Sequence, residues 1–441
     1  MIDRKLLTTV TAISLVAATA MPARAEVSIM YAEWLVSLVE PGIEAFEAET
    51  GETVNAIKLP GDGYDQRIAL DLSAGTAADV VQMDSFMVSE LASAGYLHPL
   101  DEQAAGWDQY QYYLQGLLDV ASYEGQVYAL PTDTDVRMLW YNKAVFAEAG
   151  IPVPWEPKTW QDVIDTAQTI KDETGIENAF FLPAGTKQSE AATMQGFYMA
   201  LLGADVPEGD RNRLRNWEEG KWIGDSPAIR RTLQLYYDVY VERELATAAL
   251  NYATDVGAAT REAFLANQIG ILASGSWENV CMWDCNGVNV PSQEERDEIM
   301  GWTPWPGSGE EGTKATTNIS GGWTIGVNAN AADKDLAFQL VTTIFDAGNF
   351  GEWTVANRRM AVRTDIAESE AYASDSYLAE ATKLASDTTG RDTYPGYQVV
   401  SALVQQATAD ILEGLSVEDA VAEFHAALVD EFGEENVMTY E

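Results

Sequence analysis

The sequence predicts an α/β protein of two bodies, each built on a mostly parallel sheet flanked by helices. Three observations carry this. From Val27 onward, short runs of strand formers alternate with helical patterns, the signature of parallel strands joined by crossover helices. The 441 residues are more than one compact core usually holds, so two domains are expected. Between Tyr128 and Lys143, two apolar runs enclose a polar row in which Asp133, Asp135 and Arg137 alternate and so share one face of an extended segment. That pattern suits a chain crossing between packed bodies, with its polar face toward the gap.

The first residues stand apart from the fold. Arg4 and Lys5 lead into the apolar run Leu6 to Ala18, and Ala23-Arg24-Ala25 places small residues at both positions of a cleavage site. Residues 1–25 therefore read as a secretory signal, too short for a stable membrane span. No cysteine sits at the predicted cut before Glu26, so a lipid anchor is not expected. The mature chain is expected to be soluble outside the cytoplasm.

Val27 to Tyr31 then reads as a strand ending in Ala32-Glu33-Trp34. A helix through Ile43 and Phe46 ends at Gly51, and Val54 to Leu59 forms a second strand. After the turn Gly61-Asp62-Gly63, helical spacing of Ile68, Ala69 and Leu72 runs to Gly75. Asp79 to Met83 is a third strand, followed at once by Asp84 and a short helix closed by Gly95. Pro131 stops the run from Tyr128, since proline cannot donate to a ladder. Beyond the crossing, Lys143 to Gly150 is a capped helix, and Thr159 with Asp162 forms a capping box. Helices dominate from there to Phe264, and the acidic, arginine-rich patch from Glu208 to Glu219 reads as an exposed loop. Ile269 to Leu272 and Ile299 to Trp305 are strands, and Pro306 to Gly312 reads as a flexible link. The strand Thr324 to Val327 and the helix Ala332 to Phe345 follow, and the last clear element is a helix from Val417 to Phe432, capped by Ser416.

With 26 Lys and Arg against 69 Asp and Glu, the formal charge is −43. Such a surface repels phosphate backbones and anionic headgroups, so neither nucleic acid nor membrane is expected as a partner. Cys281 and Cys285, the only cysteines, suit a local disulfide in an oxidising compartment, with two buried thiols the alternative. The two histidines are not spaced with them, so zinc is not supported, and no cofactor is expected.

Four stretches together resemble the solute-binding proteins of carbohydrate ABC importers, the maltose-binding-protein-like group. They are Phe46-Glu47-Ala48-Glu49-Thr50-Gly51, the run Leu72 to Val81, Tyr128-Ala129-Leu130-Pro131 with Trp140-Tyr141-Asn142-Lys143, and Gly270-Ile271 with Trp277 followed by Gly321-Gly322-Trp323. The resemblance implies a two-lobed periplasmic binding protein fold of type II, joined by hinge segments that pass between the lobes more than once. Lobe one would hold residues 26–134 and 299–348, and lobe two residues 135–298 and 349–441. It also implies a periplasmic monomer that closes on a sugar, neutral or anionic, and presents it to the permease subunits of an ABC importer.

Sugar hydroxyls favour carboxylates and guanidiniums, and the C–H face of a sugar favours a flat ring. Trp34, Trp277 and Trp323 fall at strand ends or in Gly-rich turns, where Gly275, Ser276, Gly321 and Gly322 would admit a ligand. Relatives place a late aromatic platform near Tyr397, which could equally be core. Asp84, Glu33 and Asp135 match hydroxyl-binding positions of relatives, against the plainer reading of caps or surface acids. Arg137 could fix the row by pairing with Asp133 or Asp135, or face ligand. Arg358, Arg359 and Arg363 form a basic cluster; Arg359 pointing into the cleft would suit an anionic sugar. The competing reading is a secreted glycoside hydrolase using paired carboxylates such as Asp133 and Asp135, about 6.5 Å apart along a strand. Nothing in the sequence specifies an acid opposite a base, and no nucleophile elbow, metalloprotease motif or phosphate loop appears.

Overall fold

The computed structural model describes residues 26–61, 63–188, 190–385 and 388–441. The expected signal, residues 1–25, and Asp62 of the predicted turn lie outside the described residues.

Two five-stranded sheets form the frame. In the first, the parallel strands Glu26–Ala32, Thr53–Leu59 and Val80–Asp84 are extended by Trp323–Val327, antiparallel to Val80–Asp84. Ala129–Pro131 lies at the edge beyond it, where a proline costs no internal ladder bond. In the second sheet, Arg137–Asn142 is central, paired antiparallel with Met300–Pro306 on one side and Ile269–Gly275 on the other. Asn178–Phe181 and Thr316–Thr317 complete its edges.

The helices form for legible reasons. Lys334–Ile344 is capped by the Asp333 side chain and buries Ala337, Phe338, Leu340, Val341 and Ile344, one stripe at helical spacing. Thr159 and Asp162 make the reciprocal capping box that starts Trp160–Thr174. Gly51 and Gly75 close their helices in the left-handed conformation. Among the described residues no helix is long and apolar enough to cross a membrane.

Several elements differ from expectation. The stretch in which helices were expected to dominate also contains the strand Asn178–Phe181, and a separate small sheet joins Arg215–Asn216, Lys221–Asp225 and Val437–Thr439. The patch 208–219 is not simply exposed. Arg213 pairs with the buried Asp392 at 2.8 Å, and Arg215, 5% exposed, lies 3.7 Å over the Tyr394 ring. Helices Ser376–Ala385 and Tyr397–Leu412 lie in a region without predicted elements. The run after Pro306 is a hairpin loop returning to Thr316–Thr317.

The expected lobe boundaries differ too. Met300–Pro306 hydrogen-bonds into the second sheet, so residues 299–306 do not go with the first. Helix Ala347–Ala356 follows the first body, where Asn349 donates to the Leu38 carbonyl at 3.1 Å. Four short stretches run side by side here, bridged at Thr134–Met360, Val136–Ser320 and Ile319–Thr389.

Candidate ligand-binding cleft

Both sheets aim strand ends at one cavity of about 570 Å³. Glu33 and Trp34 follow the strand Glu26–Ala32, Asp84 ends Val80–Asp84, and Trp323 opens the antiparallel Trp323–Val327. Opposite them, Arg137 opens Arg137–Asn142 and Trp277 follows Ile269–Gly275. This is where open α/β sheets gather ligands, beyond the carboxyl ends of their parallel strands.

The first wall is aromatic. Trp34 and Trp323 meet edge-on with centroids 4.9 Å apart, and Tyr64 lies 5.7 Å from each. Rings this close pack on one another and present one apolar surface rather than a cage. The Tyr64 hydroxyl donates to the Gln82 carbonyl at 3.0 Å, which anchors the cluster to the sheet.

The second wall is polar. Glu278, 5% exposed, accepts from Trp277 Nε1 and Ser274 Oγ, both at 2.9 Å, and from Arg261 Nε at 2.8 Å. The Arg137 guanidinium lies 4.0 Å from the centroid of the Trp277 ring, a cation–π stack. Arg137 Nη2 donates to Gln195 Oε1 and lies 3.5 Å from Asp135 Oδ1, while Nε and Nη1 are buried without partners among the described residues. Burial lowers its pKa to about 10, which leaves it charged at neutral pH. Gly275 serves this wall differently from the expected ligand approach: a Cβ there would collide with the Trp277 ring itself. Cys281 and Cys285 are disulfide-bonded and border the cavity beside Trp277.

Beneath the cavity the bodies are joined by charge. Arg391 donates to Asp84 Oδ1 and to Glu190 Oε1, each at 2.8 Å, and Glu190 also accepts from the Tyr397 and Ser401 hydroxyls. Burial disfavours charge on Arg391 and Glu190 alike. The two carboxylates more than offset this for Arg391, whereas Glu190 stays raised despite it. Asp133 likewise stays raised by burial, although Arg359 at 3.4 Å and the Trp323 N–H at 3.1 Å pull it back.

Of the residues singled out from sequence, Glu33, Trp34, Asp84, Asp135, Arg137, Trp277, Trp323 and Arg359 line the cavity. Gly321, Gly322 and Tyr397 do not line it. Gly321 donates to Asp135 Oδ1 at 3.2 Å, behind the wall. Gly322 adopts φ +128°, and a Cβ would meet the Asp133 carbonyl, so both glycines serve close packing of the crossings. Tyr397 is 1% exposed, its ring against Phe86 and its hydroxyl on Glu190. Arg358 pairs with Asp375, and the fully buried Arg363 pairs with Asp365. Tyr64, Asp65, Gln195 and Glu278 at the cavity, and Arg391 and Glu190 below it, escaped the sequence reading. The turn before Tyr64 was the one signal for that group; Arg391 and Asp84 are 307 residues apart.

A family model described as bacterial extracellular solute-binding protein matches residues 32–349. A putative binding protein of Brucella abortus is 24% identical over 391 residues, covering 88% of this chain and 87% of that one. The lactose-binding protein of Rhizobium radiobacter is 22% identical over 319 residues, covering 70% and 67%. Among solved structures, an ABC transporter solute-binding protein from Thermotoga lettingae bound with alpha-D-tagatose superposes with TM-score 0.78 at 22% identity, covering 92% of this chain and 99% of that one. A receptor of Streptomyces glaucescens, solved unliganded and with acarbose, gives TM-score 0.77 at 20% identity, covering 93% and 99%.

Proposed function

The chain belongs to the bacterial extracellular solute-binding protein family, and on that premise we propose that it captures a sugar in the interlobe cleft and hands it to an ABC importer outside the cytoplasm. One observation carries this reading: an aromatic wall of Trp34, Tyr64 and Trp323 faces a second wall whose Trp277 is held in orientation by Glu278. Flat apolar surfaces suit the C–H faces of a pyranose, and the carboxylates and guanidiniums between them suit its hydroxyls. Relatives named for lactose and bound to tagatose or acarbose support the ligand class.

We divide the lobes at the crossings. Residues 26–131 and 323 to about 360 form the first, and residues 137–317 with the final helices form the second. The Thr132–Val136 and 318–322 segments act as the hinge. Asp84, Asp135, Arg137 and Trp277 are the residues proposed to touch ligand first, with Trp34, Trp323, Glu33 and Arg359 around them. The hydrolase reading has no support in a family of binding proteins.

A thermal-shift screen of mono- to trisaccharides tests the function. A ligand present at a thousand times its Kd should raise stability by about 4 kcal/mol. Release of free sugar from a glycoside without any stabilisation would overturn the proposal.

A further inference from the structure

Resting on the reading of the cavity as a sugar site, we propose that the solute carries a basic nitrogen seated against Asp65, which makes it an amino sugar rather than a neutral or acidic one.

The charges around the cavity are unevenly matched. Among the described residues, seven carboxylates line it against four cationic side chains. Three of those cations are already committed: Arg261 to Glu278 at 2.8 Å, Arg359 to Asp133 at 3.4 Å and Arg137 to Asp135 at 3.5 Å. Asp84 is answered from below by Arg391, which must also serve Glu190. Asp255 caps its own helix by accepting from Ala258 N at 2.8 Å. Among the described residues what remains is Lys187 and Glu33, both exposed, and the half-buried Asp65, whose Oδ1 is shielded from solvent and accepts no hydrogen bond.

Asp65 therefore lacks its counterion. It sits in the first turn of helix Tyr64–Ala74, next in sequence to a ring of the aromatic wall, and it feels Asp84 and Glu190 as like charges against the single guanidinium of Arg391. Burial, reinforced by those carboxylates, pushes its pKa up to about 8. At neutral pH it is then mostly protonated, the cheapest way to keep an unpaired acid oxygen shielded from solvent. A ligand ammonium would supply the missing charge and could rest against the same aromatic surface, which attracts cations.

Arg137 shows independently that the cavity is built to receive a ligand. It is 2% exposed, lines the cavity and keeps two N–H-bearing nitrogens without partners. Those donors suit hydroxyl oxygens. An acid group there would meet Asp135, Asp84 and Glu190, the carboxylates whose fields reach Arg137, which opposes the anionic sugar allowed by the sequence.

The test uses isothermal titration of the mature chain with matched sugars: glucose and glucosamine, cellobiose and its diamino counterpart, and the corresponding uronic acids, within a wider neutral library. The amino member should bind at least about tenfold more tightly than its neutral partner. Titration in two buffers of different ionisation enthalpy should show release of close to one proton at pH 7. Asp65→Asn should abolish that release and bring the ratio of the two affinities to within about twofold. Equal or tighter binding of the neutral or acidic partner would overturn the inference and leave the sugar receptor standing. Failure of every sugar to bind would overturn both. Unchanged selectivity in Asp65→Asn would remove Asp65 as its source.

Discussion

Trp34, Tyr64 and Trp323 hold one another, whereas Trp277 is held by charges. On the first wall, three rings within 5.7 Å form a surface whose shape survives small shifts of any member. On the second, one ring is fixed on its face by Arg137 and at its nitrogen by Glu278, which Arg261 and Ser274 fix in turn. Apolar packing is non-directional, while charge-assisted hydrogen bonds are directional and fail abruptly when a partner goes. The contrast suggests a division of labour in which the first wall supplies adhesion and the second supplies orientation.

The largest effect should come from the polar foundation both walls share. Arg391→Ala leaves Asp84 and Glu190 buried without their cation and should cost about 3–5 kcal/mol in urea unfolding. A loss under about 1 kcal/mol would show that the walls do not depend on it. Next, Trp277→Ala should weaken ligand binding by about 2 kcal/mol or more, the scale of an interface anchor, and leave the unliganded melting temperature nearly unchanged. Trp34→Ala should cost markedly less affinity, because Tyr64 and Trp323 remain; equal losses at the two tryptophans would break the comparison. Glu278→Gln keeps the shape but weakens the pairing with Arg261, and should reduce affinity by about tenfold, read by titration calorimetry.

A pH dependence sharpens the sign of the charge on the first wall. Asp65 has its folded pKa raised from 3.8 to about 8, so between those values the folded state binds more protons than the unfolded one. Stability contributed by this group is full below about pH 4 and is lost as pH rises toward 8. Unfolding of the unliganded protein across that window should show the decline, and Asp65→Asn should flatten it. An identical slope in the variant would mean that Asp65 is already ionised.

Strand ends were legible in the sequence because alternation, turns and caps are local. Trp34, Asp84, Arg137, Trp277 and Trp323 were found on that basis, and all five border the cavity. Tyr397 was misplaced because a ring after a Tyr-Pro-Gly turn looks alike whether its hydroxyl meets ligand or, as here, Glu190. The pairing of Arg391 with Asp84 left no local trace, since it is made by the fold and not by either neighbourhood. The lobe boundary slipped for a similar reason. Met300–Pro306 is a good strand in any sheet, and only its register against Asn142 to Met138 assigns it to the second.

The late position of one strand also bears on timing. Trp323–Val327 sits inside the first sheet, between Val80–Asp84 and Ala129–Pro131, although nearly two hundred residues of the other body intervene. A chain emerging from its amino end can therefore assemble half of the first sheet early but cannot seal it until that strand arrives. Contacts so distant in sequence form slowly. The protein should thus linger with an unsealed sheet edge during synthesis.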